Sequence, residues 1–349
     1  MDKDITYMNR CLELAKLGIG RVSPNPMVGS VIVSDDRIIG EGYHHKIGEA
    51  HAEVNAIESV KDTSLLQHSI IYINLEPCAH YGRTPPCTDR ILKAGIPRVV
   101  IAMEDPNPKT SGKGIEKLKA HGVDVKTGVL NKEALWLNRR FVTSFTKHRP
   151  YVILKWAETR DGYLDVNRCK KQVSRPSWIT NSYGKMLVHK WRSEEDAFMV
   201  GTRTALMDNP QLTTREWTGR NPLRVSIDYD DVFPEDLNIL DDSADSMIFT
   251  GGTKPAQNQN VKKVRIQNRI DNLDEILAHL YKQNIQSIVI EGGARLLHSF
   301  ISKGLWDEAR IFTGDYTFKE GVKAPEIRGV PIYYEPFSKH ELKILTQCV

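Results

Sequence analysis

Apolar residues recur at Ile5, Met8, Leu12 and Ala15, a spacing that gives a helix over Asp4–Leu17 one apolar face, and Gly18 ends it. Two runs rich in β-branched residues follow, Val28–Val33 and Ile38–Tyr43, joined at Ser34-Asp35-Asp36; they predict an antiparallel hairpin at the start of a sheet. The pattern then alternates: a helix over His51–Val60, a strand over Ile70–Asn74, a helix over Cys87–Ala94 and a strand over Arg98–Met103. Leu137–Arg149 is basic and polar, and Pro150 precedes a strongly apolar strand, Tyr151–Ala157. A domain boundary is expected there, giving domains of residues 1–147 and 148–349.

Beyond the boundary the alternation resumes with a helix over Ser182–Glu195 and strands over Ala197–Gly201, Leu223–Asp228 and Met247–Thr250. A helix over Leu273–Gln283, a strand over Ser287–Ile290, a helix over Ala294–Ser302 and a strand over Ala309–Phe312 complete it. This order predicts a largely parallel sheet covered by helices, with Ile332–Tyr334 and Leu342–Leu345 as antiparallel edge strands. Both domains are expected to be α/β.

At 349 residues the chain is long enough for two cores. Its 48 Lys and Arg against 44 acids are evenly spread, with no basic block, which argues against a nucleic-acid surface. Five cysteines without a framework spacing, no leader and no long apolar run predict a soluble, cytoplasmic protein with no membrane partner.

The candidate chemistry lies between His51 and Cys87. One imidazole (His51) and two thiolates (Cys78, Cys87) offset the charge of Zn²⁺ and leave the fourth tetrahedral position for water, whose pKa the metal lowers towards neutrality. Glu53 lies two residues past His51, too far round a regular helix to share its face. The metal is therefore expected off the helix end, where this carboxylate can take the water proton and hand it to a leaving ammonia. H-x-E followed by P-C and a second Cys is the signature of zinc deaminases; in the nucleic-acid enzymes two residues separate the cysteines, and here eight do. Predicted helix starts at both ligand segments favour the thiolate forms.

Taken singly these residues are ordinary, since His-x-Glu occurs at many helix starts and intracellular cysteines are commonly buried apolar groups. Their combination points to the metal. A structural zinc would want a fourth protein ligand; His80 could supply it, but Glu53 would then have no task. A nucleic-acid base deaminase with a fused binding domain stays open, opposed by the even charge and the lack of an aromatic and basic groove. A non-enzymatic zinc-stabilised binding module also stays open, opposed by the intact Glu53. No G-x-G-x-x-G occurs, so a dinucleotide would have to be held in another way. Glu291-Gly292-Gly293, between a strand and a helix, suits a phosphate at a helix N-terminus or serves turn geometry alone. Gly251-Gly252, followed by Thr253-Lys254-Pro255, reads as an open loop.

In this order, Pro24-Asn25-Pro26-Met27-Val28-Gly29, His51-Ala52-Glu53, the run Glu76-Pro77-Cys78 through Gly82-Arg83-Thr84-Pro85-Pro86-Cys87, and Asp105-Pro106-Asn107-Pro108 resemble the bifunctional riboflavin-biosynthesis deaminase/reductase family. The resemblance implies a cytidine-deaminase-like α/β/α domain that hydrolytically deaminates 2,5-diamino-6-(5-phosphoribosylamino)pyrimidin-4-one. Asn25, His44, Asp105 and Asn107 would hold the pyrimidine, and Arg83 would meet the phosphate. The second half resembles the family's reductase domain, whose fold is similar to dihydrofolate reductase. The residues that carry this are Leu154-Lys155 through Asp161-Gly162, Trp178-Ile179-Thr180, Gly201-Thr202-Arg203-Thr204, Asp208-Asn209-Pro210 through Arg215, and Glu291-Gly292-Gly293.

There the resemblance implies that NADPH reduces the ribosyl chain to ribityl, giving 5-amino-6-(5-phosphoribitylamino)uracil. The implied cofactor contacts are Ala157, Trp178, Thr204, Asp208, Gly293, Ala294, Arg295 and Leu296. The implied substrate contacts are Ser177, Arg192, Leu212, Arg215 and Glu291, with electrostatic roles for Lys155 and Asp208. Ala79 stands where many members carry Ser, Tyr229 stands near a cofactor contact that is usually Ser, and Ser177 is the nearest equivalent of the family's substrate serine. The expected cofactors are thus Zn²⁺ and NADPH. The expected partner is the small-molecule pyrimidine ribosyl phosphate, with no nucleic acid, and the expected assembly is a homodimer.

Overall fold

The first helix, α1 (Lys3–Lys16), is capped by Asp2, whose carboxylate accepts from the Asp4 amide, and it buries Met8, Cys11, Leu12 and Ala15. It packs on β1 (Gly29–Ser34), which pairs with β2 (Arg37–Tyr43) as the predicted hairpin. After these come α2 (Ala52–Ser59), β3 (Ile70–Leu75), α3 (Cys87–Lys93), β4 (Arg98–Met103), α4 (Lys113–Ala120), β5 (Asp124–Thr127), α5 (Asn131–Leu137) and α6 (Arg139–Lys147). The sheet order is β2-β1-β3-β4-β5; β1 is antiparallel to both neighbours, and β3, β4 and β5 are parallel.

The two-residue period of the strands divides their side chains between two cores. Val31, Val33, Tyr72, Val100 and Ala102 pack with α1 and α5 on one face, while Ile32, Ile71, Ile73, Val99 and Ile101 pack with α2, α3 and α4 on the other. Helices on both faces explain why these strands read as nearly continuous apolar runs.

This computed structural model describes residues 2–81, 85–167, 179–256, 258–269 and 272–347, and the chain divides into two units, Met1–His148 and Arg149–Val349. The second unit holds β6 (Tyr151–Thr159), β7 (Tyr163–Asp165), α7 (Ser182–Glu194), β8 (Ala197–Val200), α8 (Thr202–Asp208), β9 (Leu223–Ile227), β10 (Ser246–Thr250) and β11 (Val261–Arg265). It continues with α9 (Leu273–Lys282), β12 (Ser287–Ile290), α10 (Ala294–Ser302), β13 (Glu308–Gly314), β14 (Val322–Lys323), β15 (Val330–Phe337) and β16 (His340–Thr346). Its main sheet runs β11-β10-β9-β8-β12-β6-β13-β16-β15, parallel from β11 to β13, with β16 and β15 added antiparallel. Val152, Leu154 and Trp156 of the central β6 enter one core, and Tyr151 and Ile153 enter the other.

The segment Leu137–Arg149, read as a polar stretch before the boundary, is mostly α6. Its charged residues mask Phe141 and Phe145, four apart on one helix face with rings edge-on at 4.8 Å. Gly251-Gly252 opens a loop whose residues 253–255 are exposed, but the glycines themselves are closely packed: a Cβ on Gly251 would lie 2.5 Å from the Tyr229 ring, and one on Gly252 1.8 Å from the Asp231 carboxylate. Among the described residues no helix is long and apolar enough to cross a membrane.

Glycine at position 42 lets β2 lie directly against α2, since a Cβ there would sit 2.3 Å from the Ala56 nitrogen and 2.6 Å from the Ala52 carbonyl oxygen. Gly42→Ala should therefore push α2 off the sheet and lower stability by roughly 1–3 kcal/mol, the usual cost of overpacking. The denaturation midpoint reads this; an unchanged midpoint would show that the helix yields freely.

Candidate functional site

His51 is the N-cap of α2 with extended backbone (φ −75°, ψ 163°), so its ring leaves the helix axis instead of following the helical face. Cys87 opens α3, and Cys78 lies in the loop after β3. The imidazole Nδ1 lies 3.2 Å from Cys87 Sγ and 3.7 Å from Cys78 Sγ, and the three donor atoms all lie within 4.8 Å of one another. Zinc at its ordinary bond lengths sets tetrahedral donors about 3.6–3.8 Å apart, so these residues fit it. His80 is exposed and outside the cluster, so among the described residues the donor set is His51, Cys78 and Cys87.

The electrostatics call for a cation. The Cys78 thiol is held down to about 4, first by a hydrogen bond from Cys87 and then by His51, against its own burial. The remaining proton stays on Cys87, pushed up by that same hydrogen bond, by burial and by Glu53. Glu53 is 3 % exposed; burial first, and then the charge on Cys78, push its carboxyl up to about 7. A dication beside these groups would favour all the ionised forms at once.

A cavity of about 510 Å³ opens over this cluster, in the range of small-molecule sites. It brings together Asn25, His44, Glu53, Asp105 and Asn107, the residues expected to hold the pyrimidine and move the proton. The Ala50 carbonyl, 3.0 Å from His44 Nδ1, can only accept, so that nitrogen carries the proton and Nε2 accepts from Asn25 Nδ2 at 3.0 Å. Burial lowers the His44 pKa, in keeping with a neutral ring that orients the Asn25 amide. The loop that carries Asn25 is itself pinned: Asn74 Oδ1 accepts from Gly29 N at 2.7 Å, and Asn138 Oδ1 accepts from Met27 N at 2.8 Å. Sequence reasoning missed the wall formed by Phe141, Phe145 and Thr110. The i, i+4 spacing of the two phenylalanines was the available signal.

In the second unit Glu291, at the end of β12, is the hub. Arg192 on α7 donates to its Oε2 at 2.9 Å, and Lys155 Nζ on β6 lies 3.4 Å from its Oε1. Burial alone would raise the Glu291 pKa, but Arg192 and Lys155 override it and hold it at about 2. Arg215 extends the group, its backbone N–H donating to His189 Nδ1 at 2.9 Å and its Nη1 to Thr213 Oγ1 at 2.8 Å. His189 is pushed down to about 4 by burial and by Arg192 and Arg215, so it is neutral and accepting. Arg192, Lys155 and Arg215 outnumber Glu291, and Glu216, which also acts on Arg215, is paired with Lys185, so the group suits an anionic ligand.

Gly293 caps α10 in the left-handed region (φ 71°), so the backbone of Gly293, Ala294, Arg295 and Leu296 forms the helix start, as a phosphate cradle requires. Thr204 packs beside it, its Oγ1 3.1 Å from where a Gly293 Cβ would be. Ala157 lies toward the end of β6, and Asp208 is the last residue of α8. The Leu212 side chain is buried in a core with Val200 and Ala205. Arg83, Ser177 and Trp178 lie outside the described residues.

A family model described as the cytidine and deoxycytidylate deaminase zinc-binding region matches residues 1–103, and one described as the RibD C-terminal domain matches residues 150–318. The riboflavin biosynthesis protein RibD of Aquifex aeolicus is 38% identical over 328 residues, covering 93% of this chain and 90% of that protein. That of Escherichia coli is 34% identical over 327 residues, covering 89% and 87%. A crystal structure from Thermotoga maritima, described as a diaminohydroxyphosphoribosylaminopyrimidine deaminase/5-amino-6-(5-phosphoribosylamino)uracil reductase, superposes with a TM-score of 0.89 at 36% identity, covering 99% of both chains. Acinetobacter baumannii RibD, form 1, superposes with a TM-score of 0.90 at 32% identity, again covering 99% of both.

The depressed pKa of Glu291 gives stability that is present above its ordinary value of 4.5 and is lost as pH falls from there through about 2. Glu291→Gln should destabilise the protein at neutral pH by about 3–5 kcal/mol, since Arg192 and Lys155 lose their buried partner. That deficit should shrink across the same acid range. Unfolding free energies of both proteins as a function of pH test this, and a deficit independent of pH would show that Glu291 is not the titrating partner.

Proposed function

The chain belongs to the family of the riboflavin biosynthesis protein RibD, and from that premise we propose how its residues share the two reactions. It is a bifunctional enzyme, with a cytidine-deaminase-like zinc domain and a dihydrofolate-reductase-like domain that uses NADPH. It deaminates 2,5-diamino-6-(5-phosphoribosylamino)pyrimidin-4-one by hydrolysis and then reduces the ribosyl chain to ribityl.

The observation that carries the reading is the His51, Cys78 and Cys87 donor set with Glu53 buried in the same cavity. Zinc, held by those three residues, supplies the acidity that makes water reactive at neutral pH. Glu53 takes a proton from the attacking water and returns it to the departing amino nitrogen, which leaves as ammonia. Asn25, oriented by His44, and the loop bearing Asp105 and Asn107 hold the pyrimidine, and Arg83 meets its phosphate.

In the reductase, NADPH supplies the hydride. The first turn of α10, from Gly293 to Leu296, is the cofactor's phosphate cradle, and Thr204, Ala157, Asp208 and Trp178 are its further cofactor contacts. Arg192 and Arg215 bind the substrate phosphate, Glu291, Leu212 and Ser177 contribute further substrate contacts, and Lys155 holds charge at the reacting end. A homodimer and a cytoplasmic location belong to the same reading. Exposed Ile332, Tyr333 and Tyr334 on the sheet-edge strand β15 support self-association, and free thiols at Cys11, Cys78 and Cys87 suit a reducing compartment.

Incubating the zinc-loaded protein with the pyrimidine substrate should release ammonia and, with NADPH added, yield the ribitylaminouracil phosphate. Chelation should abolish the first step, and full ammonia release from demonstrably metal-free protein would overturn the reading. Glu53→Gln keeps the side chain's size and should retain zinc while slowing deamination roughly 10²–10⁴-fold. Its NADPH oxidation on supplied deaminated intermediate should match wild type. If it deaminates normally, Glu53 is not the proton carrier.

A further inference from the structure

Glu76 is a buried carboxylate that the deamination chemistry does not use. It follows β3, two residues before Cys78, and is 6 % exposed. Its two oxygens collect four backbone amides from a single stretch of chain. Oε2 accepts from Asp105 N at 3.1 Å and Gly112 N at 3.0 Å, while Oε1 accepts from Gly114 N at 2.8 Å and Ile115 N at 3.4 Å. Asp105 follows β4 by two residues and Gly112 is the N-cap of α4, so one side chain closes both ends of the intervening loop. Gly112 has no side chain to satisfy the open amides of the helix start, and Glu76 does so from another element.

The start of α4, where this loop ends, sits hard against the segment leading to Cys78, because a Cβ on Gly114 would lie 2.1 Å from the Pro77 carbonyl oxygen. Inside the loop, Asp105 Oδ1 accepts from Asn107 N at 2.9 Å and Oδ2 from Thr110 Oγ1 at 2.6 Å. Asp105, Asn107 and Thr110 line the cavity that also holds His51 and Cys78. We propose that Glu76 is a positioning residue: it clasps the Asp105–Gly112 loop at a set distance from Cys78, so that one carboxylate ties the orientation of the pyrimidine to the metal.

The inference rests on the deaminase reading and deepens it. An ionised carboxylate is the side chain the geometry requires, because it offers acceptor lone pairs on both oxygens and no donor. Glutamine has one acceptor oxygen, and its NH₂ would face two amide donors. Aspartate is one methylene short.

In the zinc-loaded, full-length protein, Glu76→Gln should keep its zinc and its reduction of supplied deaminated intermediate, while kcat/KM for deamination falls roughly 10–100-fold, the scale of a displaced substrate. Backbone amides of residues 105–115 should exchange faster, with those of β3 and β4 unchanged. In an Asn107→Ala background, adding Glu76→Gln should cost only about twofold more, because both changes act through one loop. Thr110→Val, which loosens Asp105 from inside the loop without touching the core, should give a smaller loss in the same direction and decides the matter if Glu76→Gln does not fold.

Wild-type kinetics in both Glu76→Gln and Thr110→Val, losses that multiply independently in the Asn107→Ala background, or lost zinc with unaltered loop exchange would each overturn the proposal. If the wild-type protein releases no ammonia from the pyrimidine, it is the deaminase reading that has failed, and loop exchange still decides whether Glu76 acts as the clasp.

Discussion

Cys78, Cys87 and Glu53 crowd round the imidazole of His51, and a negative charge on Cys78 makes both Cys87 and Glu53 harder to ionise. Such a group persists in a folded protein only if a cation relieves it, or if protons stay where the chemistry needs them gone. The surrounding structure answers this constraint. His51 is turned out of α2 by its extended backbone, Cys87 starts α3 where helix amides favour negative charge, and Gly42 lets α2 lie directly against β2.

The second unit solves the opposite problem. Arg192 and Lys155 converge on one carboxylate, Glu291, and Arg215 lies near enough to Arg192 to feel its charge, so the group is not neutralised. An anion completes that balance, whereas in the first unit a cation does. Both clusters draw on the carboxyl ends of parallel strands, β3 in one unit and β6 and β12 in the other, where side chains from several elements can meet at a crevice.

Much of this was legible along the chain. Strands β4 and β12 and helix α10 were readable to the residue because strands covered on both faces run continuously apolar and α10 keeps a strong amphipathic period. The segment β5 (Asp124–Thr127), by contrast, is a sheet edge of four residues, three of them polar and with none fully buried, and no periodicity marked it. In α6 the basic residues outweighed two phenylalanines whose importance comes from the cavity they face.

By itself the sequence determined the metal chemistry and the fold class, because donor types in order and hydrophobic period are local properties of the chain. Only the tertiary structure decided how the sites are held. The tautomer of His44 depends on the Ala50 carbonyl and on Asn25, the neutrality of His189 on two arginines, and the role of Glu76 on amides 29 to 39 residues away. No spacing rule carries those pairings. A buried hydrogen bond is set by which backbone groups the packed elements leave unsatisfied, and that is known only once β3, β4 and α4 lie side by side.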